Sequence, residues 1–261
     1  MMKRLQNNVN EEHKTKFSRI RLGGIESFIY RIISVIVNLV PERYIRKKII
    51  VGNENELIIE TISTMIVSGI YPYKLKEKQV FNDKQYDFDI VINTIEDTVK
   101  ERIEKWVVPE LVDKCLELFK ATLKNNLNLF ENFYEAYQIE LNKINTSQST
   151  VFVNAPSNIK LSALIKASRE KGIPVISMQH GVTSEINAFH DAFMPVYEIN
   201  YSDTFIAYNE ESKKTSLKSF YARGDVFISG ISNKHLRVRH GNGKHDCPIV
   251  YVSNNLYSGN I

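Results

Sequence analysis

The strongest constraint in this chain is a change of rhythm near residue 149, where short β-branched runs begin to alternate with helix-length segments. Residues 150–153 read as a strand, 157–171 as a helix and 174–178 as a second strand, with Gly172 and Pro174 closing the helix. Parallel strands need a crossover of about a dozen residues or more, and this one has that length. The alternation then repeats: 204–208 as a strand, 210–221 as a helix with Asn209 as its N-cap, and 226–229 as a strand. Sustained alternation of this kind predicts an α/β fold with a Rossmann-like, doubly wound parallel sheet, whose ligands sit beyond the carboxyl ends of the strands. The functional loops are therefore expected to begin at Asn154, Gln179, Asn209 and Gly230.

The preceding 145 residues carry a different pattern and predict a mainly helical region that joins residues 146–231 in one domain. Apolar residues over 54–68 and a longer run over about 96–145 mark helices, and Pro109 is expected to break or restart the second. Along that run Leu111, Cys115, Leu118, Thr122, Leu127, Phe130, Tyr134, Tyr137 and Leu141 recur at three-to-five-residue spacing and predict one buried face. Residues 88–92 alternate Asp with apolar residues, as a strand would.

Beyond Gly230, residues 232–247 are polar, basic and Gly-containing, and read as a linker. His235, His240 and His245 fall within it, but spacings of five and five match no common ligand pattern, so no metal is expected. Residues 248–253 read as a new strand, so 248–261 is expected to be the start of a truncated second domain.

Composition excludes several classes. Hydrophobic residues at 43% and charged residues at 25% are those of a globular protein, and a formal net charge of +4 is too diffuse to mark a nucleic-acid binder. Cys115 and Cys247 have neither metal-ligand spacing nor a disulfide framework, which favours a reducing cytoplasm. The polar N-terminus has no signal-peptide core, and the apolar stretch 25–40 is too short and too charged for a comfortable membrane span. That stretch leads into Pro41 and a basic patch of Arg43, Arg46, Lys47 and Lys48, which is compatible with peripheral contact at the inner face of the cell membrane. The expectation adopted is the plainer one, a helix packed on its own domain with a charged face in solvent.

The segment around residues 176–185 carries the most chemistry. It places Gln179, His180 and Gly181 at the end of a parallel strand. An imidazole there can take a proton from an attacking hydroxyl. Gly181 permits close backbone approach to a ligand, and Glu185 can orient the imidazole or bind a sugar hydroxyl. The neighbouring strand ends in Asn154-Ala-Pro-Ser-Asn158, where Asn154, Ser157 and free helix amides can bind a phosphate or hydroxyl. The simpler alternative is that Ser157 only caps its helix.

The order strand, Asn-x-x-Ser, helix, Gly-Ile-Pro-Val-Ile-Ser-Met-Gln-His-Gly, followed by the strands Asp-x-Phe-Ile-Ala-Tyr and Val-Phe-Ile-Ser-Gly, resembles the N-terminal domain of GT-B-fold capsule and lipopolysaccharide glycosyltransferases. More distantly it is similar to the glycerophosphotransferases of teichoic-acid synthesis. The resemblance covers roughly residues 150–255. It implies that His180 is the acceptor-side base, with Gln179 standing where those relatives have an aromatic. It also implies that Ser253 and Asn254 begin a donor-binding lobe that holds a nucleotide-sugar as substrate, with no cofactor. The partners implied are that donor and a glycan or lipid-linked acceptor, in either inverting or retaining transfer. Two rivals stay open. One is a sugar-nucleotide 2-epimerase, which would need more carboxylates at strand ends than Glu185 and the His190-Asp191 pair supply. The other is a truncated, non-catalytic binding module, and by itself an acceptor half is expected to show little transferase activity.

Overall fold

A computed structural model describes residues 25–41, 44–45, 47–54, 56–75, 86–154, 156, 158–179, 197–218 and 224–230. They fall within one compact unit ending at Gly230. The expected linker 232–247 and the segment 248–261 lie outside the described residues.

The sequence pattern of short apolar runs separated by helices becomes an all-parallel sheet of six strands. These are β1 (Lys48–Val51), β2 (Tyr71–Tyr73), β3 (Ser149–Asn154), β4 (Val175–Met178), β5 (Thr204–Ala207) and β6 (Asp225–Ile228). The order across the sheet is β2-β1-β3-β4-β5-β6. Among the described residues the helices are α1 (Ile25–Leu39), α2 (Glu56–Ile66), α3 (Asp89–Glu104), α4 (Pro109–Leu141), α5 (Ile159–Glu170), α6 (Tyr197–Tyr201) and α7 (Glu210–Leu217). The α/β, Rossmann-like expectation holds at this level.

Strand β3 is buried along almost its whole length, as a central parallel strand covered on both faces must be. Register pairs Val151 with Val175, Phe152 with Ile176 and Asn154 with Met178. Side chains alternate across a strand, so Ile50, Val151, Val153 and Val175 share one face, where α5 and the end of α4 cover them through Leu161, Leu164, Ile165, Tyr137 and Leu141. Helix α2 lies against the opposite face, with the Thr61 hydroxyl 3.5 Å from the Met178 sulfur. The crossover β3-α5-β4 ends as its sequence implies: Gly172 takes a left-handed φ of 68°, and its N–H donates to the Arg169 carbonyl.

The mainly helical N-terminal region also supplies two strands, β1 and β2, to the sheet. Three expectations about the elements change. Residues 88–92 are the start of α3 rather than a strand, since the Asp87 carboxylate accepts the Asp89 N–H and opens a helical turn. Lys48 leaves the basic surface patch: it begins β1, is 2% exposed, and its ammonium lies 5.8 Å from the Tyr73 ring centre. In α4 the predicted buried stripe holds only toward the C-terminus. Leu111, Leu118 and Thr122 are exposed, while Val112 and Leu116, one residue round the helix, are buried. Pro109 restarts the helix as expected, at its first turn, after an extended Val108.

Candidate functional site

Strand order locates a crevice from topology alone. The chain moves outward from β1 to β2, then returns to the other side of β1 as β3 and continues through β6. Loops leaving β1 and β3 therefore diverge, and the carboxyl ends of these two strands form the switch point at which open parallel sheets bind ligands.

The β1 exit is held close to the base of this crevice. A Cβ on Gly52 would lie 2.5 Å from Val153 Cγ1 and 3.2 Å from Leu161 Cδ2, so only glycine lets the backbone approach here. Its N–H donates to the Phe152 carbonyl at 3.0 Å. Asn53 then replaces backbone pairing with side-chain pairing. Its Oδ1 accepts the Asn154 N–H at 2.9 Å, and its Nδ2 donates to the Asn154 carbonyl at 2.7 Å.

The same device continues along the sheet. Asn154 Nδ2 donates to the Met178 carbonyl at 2.7 Å, tying β3 to β4. The Gln179 N–H donates to the Ile206 carbonyl, and Gln179 Oε1 accepts the Tyr208 N–H at 2.9 Å, tying β4 to β5. Three amide side chains thus lace four neighbouring strands together just where the functional loops leave.

This arrangement specifies what two of the singled-out residues contact. Asn154 and Gln179 are 2% and 3% exposed, and these amide contacts are to the protein interior. They stand on adjacent strand ends, as expected from the sequence. Ser157, His180, Gly181, Glu185, Ser253 and Asn254 lie outside the described residues. The cap of α5 is Asn158, whose Oδ1 accepts the Leu161 N–H at 2.8 Å, in place of the expected Ser157. The Asn209 cap of α7 is as expected, accepting the Ser212 N–H at 2.8 Å.

A charged cluster at the ends of β1 and β2 was not singled out from sequence. Glu54 Oε1 accepts the Tyr30 hydroxyl at 2.8 Å and pairs with the Lys74 ammonium, which also lies 5.7 Å from the Tyr30 ring centre. Burial alone would raise the Glu54 carboxyl, but hydrogen bonding and charge from Lys74, with the Tyr30 bond, outweigh it and hold Glu54 below the usual carboxylate range. Burial, then the Glu54 charge, pushes the Tyr30 phenol well above its ordinary value. At the end of β5, burial and the charge of Glu198 push Tyr208 up to about 12. Glu54 is thus an ionised carboxylate and both phenols are neutral at pH 7, the Tyr30 hydroxyl donating to Glu54. The available signal for Glu54 was its place three residues after a short apolar run, Ile49 to Val51, broken by glycine.

Among the described residues no group of three or more His, Cys, Asp or Glu comes together to hold a metal ion. A concavity between α3 and α4, lined by Lys100, Glu104, Val107, Pro109, Val112 and Asp113, includes no residue from the strand ends. Comparison with protein-family models, curated proteins and solved structures finds no match to this chain.

Proposed function

We propose that the chain forms the acceptor-side half of a GT-B-type glycosyltransferase of bacterial surface carbohydrate, moving a sugar from a nucleotide-sugar to a glycan or lipid-linked hydroxyl. The observation that carries this reading is the laced carboxyl edge of the parallel sheet, where Gln179 is fixed at the end of β4, next to β3 of the switch point; His180 and Gly181 follow it in sequence. A proton-transfer residue is most effective when its anchor is fixed, and the Gln179 backbone and side chain are both tied to β5.

In this reading His180 takes the proton of the acceptor hydroxyl as that oxygen bonds to the anomeric carbon and the carbon–phosphate oxygen bond breaks, the electron pair leaving with the nucleotide. Glu185 orients the imidazole. Ser157, Gly181 and the first amides of α5 bind acceptor hydroxyls, and Ser253 with Asn254 contribute to the donor side. Asn154 and Gln179 act as positioning residues through the strand ends they join. The nucleotide-sugar is a substrate, and no cofactor is needed.

The test is nucleotide-sugar consumption by the natural protein that contains this chain, screened with lipid-linked and glycan acceptors. A His180→Ala change is expected to lower kcat by about 10²–10⁴-fold, with a small effect on acceptor KM. Full turnover by the variant would remove His180 as base. Absence of turnover in the unaltered protein, together with saturable binding of a glycan acceptor, would favour the second reading, a non-catalytic binding module.

A further inference from the structure

Helix α1 wears its apolar side outward. Tyr30, Ser34 and Val37 are buried against the domain, and the Tyr30–Glu54 hydrogen bond fixes which side faces in. On the opposite side Phe28, Ile29, Ile32, Val35, Ile36 and Leu39 are all exposed, with Leu39 at 79% and Val35 at 62%. At 100° per residue these six positions cover a continuous arc of about 120° without a polar side chain. This reverses the expectation of a charged solvent face. A monomer in water rarely exposes an unbroken apolar strip of this kind, and such strips mark surfaces that meet something.

The charge around the strip indicates what it meets. The first 47 residues contain ten Lys and Arg against four Asp and Glu, whereas the remaining residues contain 24 against 26. The chain's positive charge is therefore concentrated in the segments on either side of α1. Arg31 is exposed on its flank, and Tyr44 and Lys47 are exposed just beyond its end. An apolar stripe bordered by basic residues and an exposed tyrosine matches the boundary between acyl chains and anionic headgroups. A symmetric contact with a second copy would instead bring two such positive regions together. At 15 residues α1 is about 22 Å long, shorter than the roughly 30 Å hydrocarbon layer, and no described helix is long and apolar enough to cross a membrane.

We propose that α1 lies in the plane of an anionic membrane surface, with Phe28, Ile32, Val35 and Leu39 among the acyl chains and Arg31 and Lys47 at the headgroups. This goes beyond the proposed sugar transfer and does not depend on it.

The experiment is flotation of the full chain with vesicles of phosphatidylcholine alone or mixed with phosphatidylglycerol. Binding is expected to the mixed vesicles and to be weak on phosphatidylcholine. The double change Val35→Glu and Leu39→Glu should lower partitioning at least tenfold, with an unchanged circular dichroism spectrum. Neutralising Arg31 and Lys47 to Gln should cost about fivefold per residue at low salt. Absence of binding to mixed vesicles would overturn the proposal. So would a dimer seen by light scattering that the same double change dissolves, because the strip would then belong to a second copy.

Discussion

In α4, Tyr137 and Leu141 lie in the core against α5 and the sheet, while Leu111 and Leu118, on the same helical period nearer its start, stand exposed. The sequence treats the two parts of this helix alike, and their surroundings differ entirely. The C-terminal part is pressed onto α5, where the Tyr134 hydroxyl and Gln138 also reach Glu170. The earlier part has α3 alongside it and is joined to it by Lys120–Glu96 and Lys124–Asp89 pairs. A periodic apolar stripe states that a helix has a face; it does not state how much protein lies against that face.

The comparison can be broken most directly at its buried end. Leu141→Ala should lower unfolding free energy by about 2–5 kcal/mol, because a fully buried side chain leaves a cavity that sheet and helix cannot both collapse into. A loss under 1 kcal/mol in urea denaturation would mean that this end of α4 is no better packed than the other. Next comes the laced edge of the sheet. Asn154→Leu leaves the Met178 carbonyl without its buried donor and should cost about 1–3 kcal/mol in the same measurement.

A smaller effect is expected at the exit from β2. Lys74→Met removes a half-exposed ion pair and should cost no more than about 1 kcal/mol. Its signature is pH dependence. Glu54 is lowered from its ordinary value of 4.5, so its contribution is complete above that value and is lost as pH falls through the lower folded-state one. Chemical denaturation from pH 7 down to pH 3 should therefore show the two proteins converging, and a constant gap would contradict the assignment. The smallest effect belongs to the exposed part of α4, where Leu118→Ala should change stability by less than about 0.5 kcal/mol. A loss comparable to that of Leu141→Ala would show that another surface covers this stretch in solution.

What could be read from sequence follows the same division. The strands β3 to β6 and helices α5 and α7 were legible because β-branched runs, Gly172 and the Asn209 cap are local signals. Strands β1 and β2 were not. Lys48 opens β1 and looks like the end of a basic run, and Pro72 argues against a strand except at a sheet edge, which is where β2 lies. Missing these strands also hid the switch point, since strand order depends on pairing across the whole chain. Asn154 and Gln179 were correctly placed at strand ends, but nothing local distinguishes an amide that contacts a ligand from one that fastens two strands. For α1 packing on its own domain was expected, but the side that packs was misread: Tyr30, Ser34 and Val37 face in, while the longer apolar side faces out.

The amide bridges from Asn53 through Asn154 to Gln179 have a mechanical consequence. They carry cross-strand attachment past the last ladder bonds, so the departure points of successive loops cannot shift independently. Any rearrangement that closes over a bound molecule must pivot beyond these three residues. The platform beneath would stay in one shape, and little ordering entropy would be lost there on association.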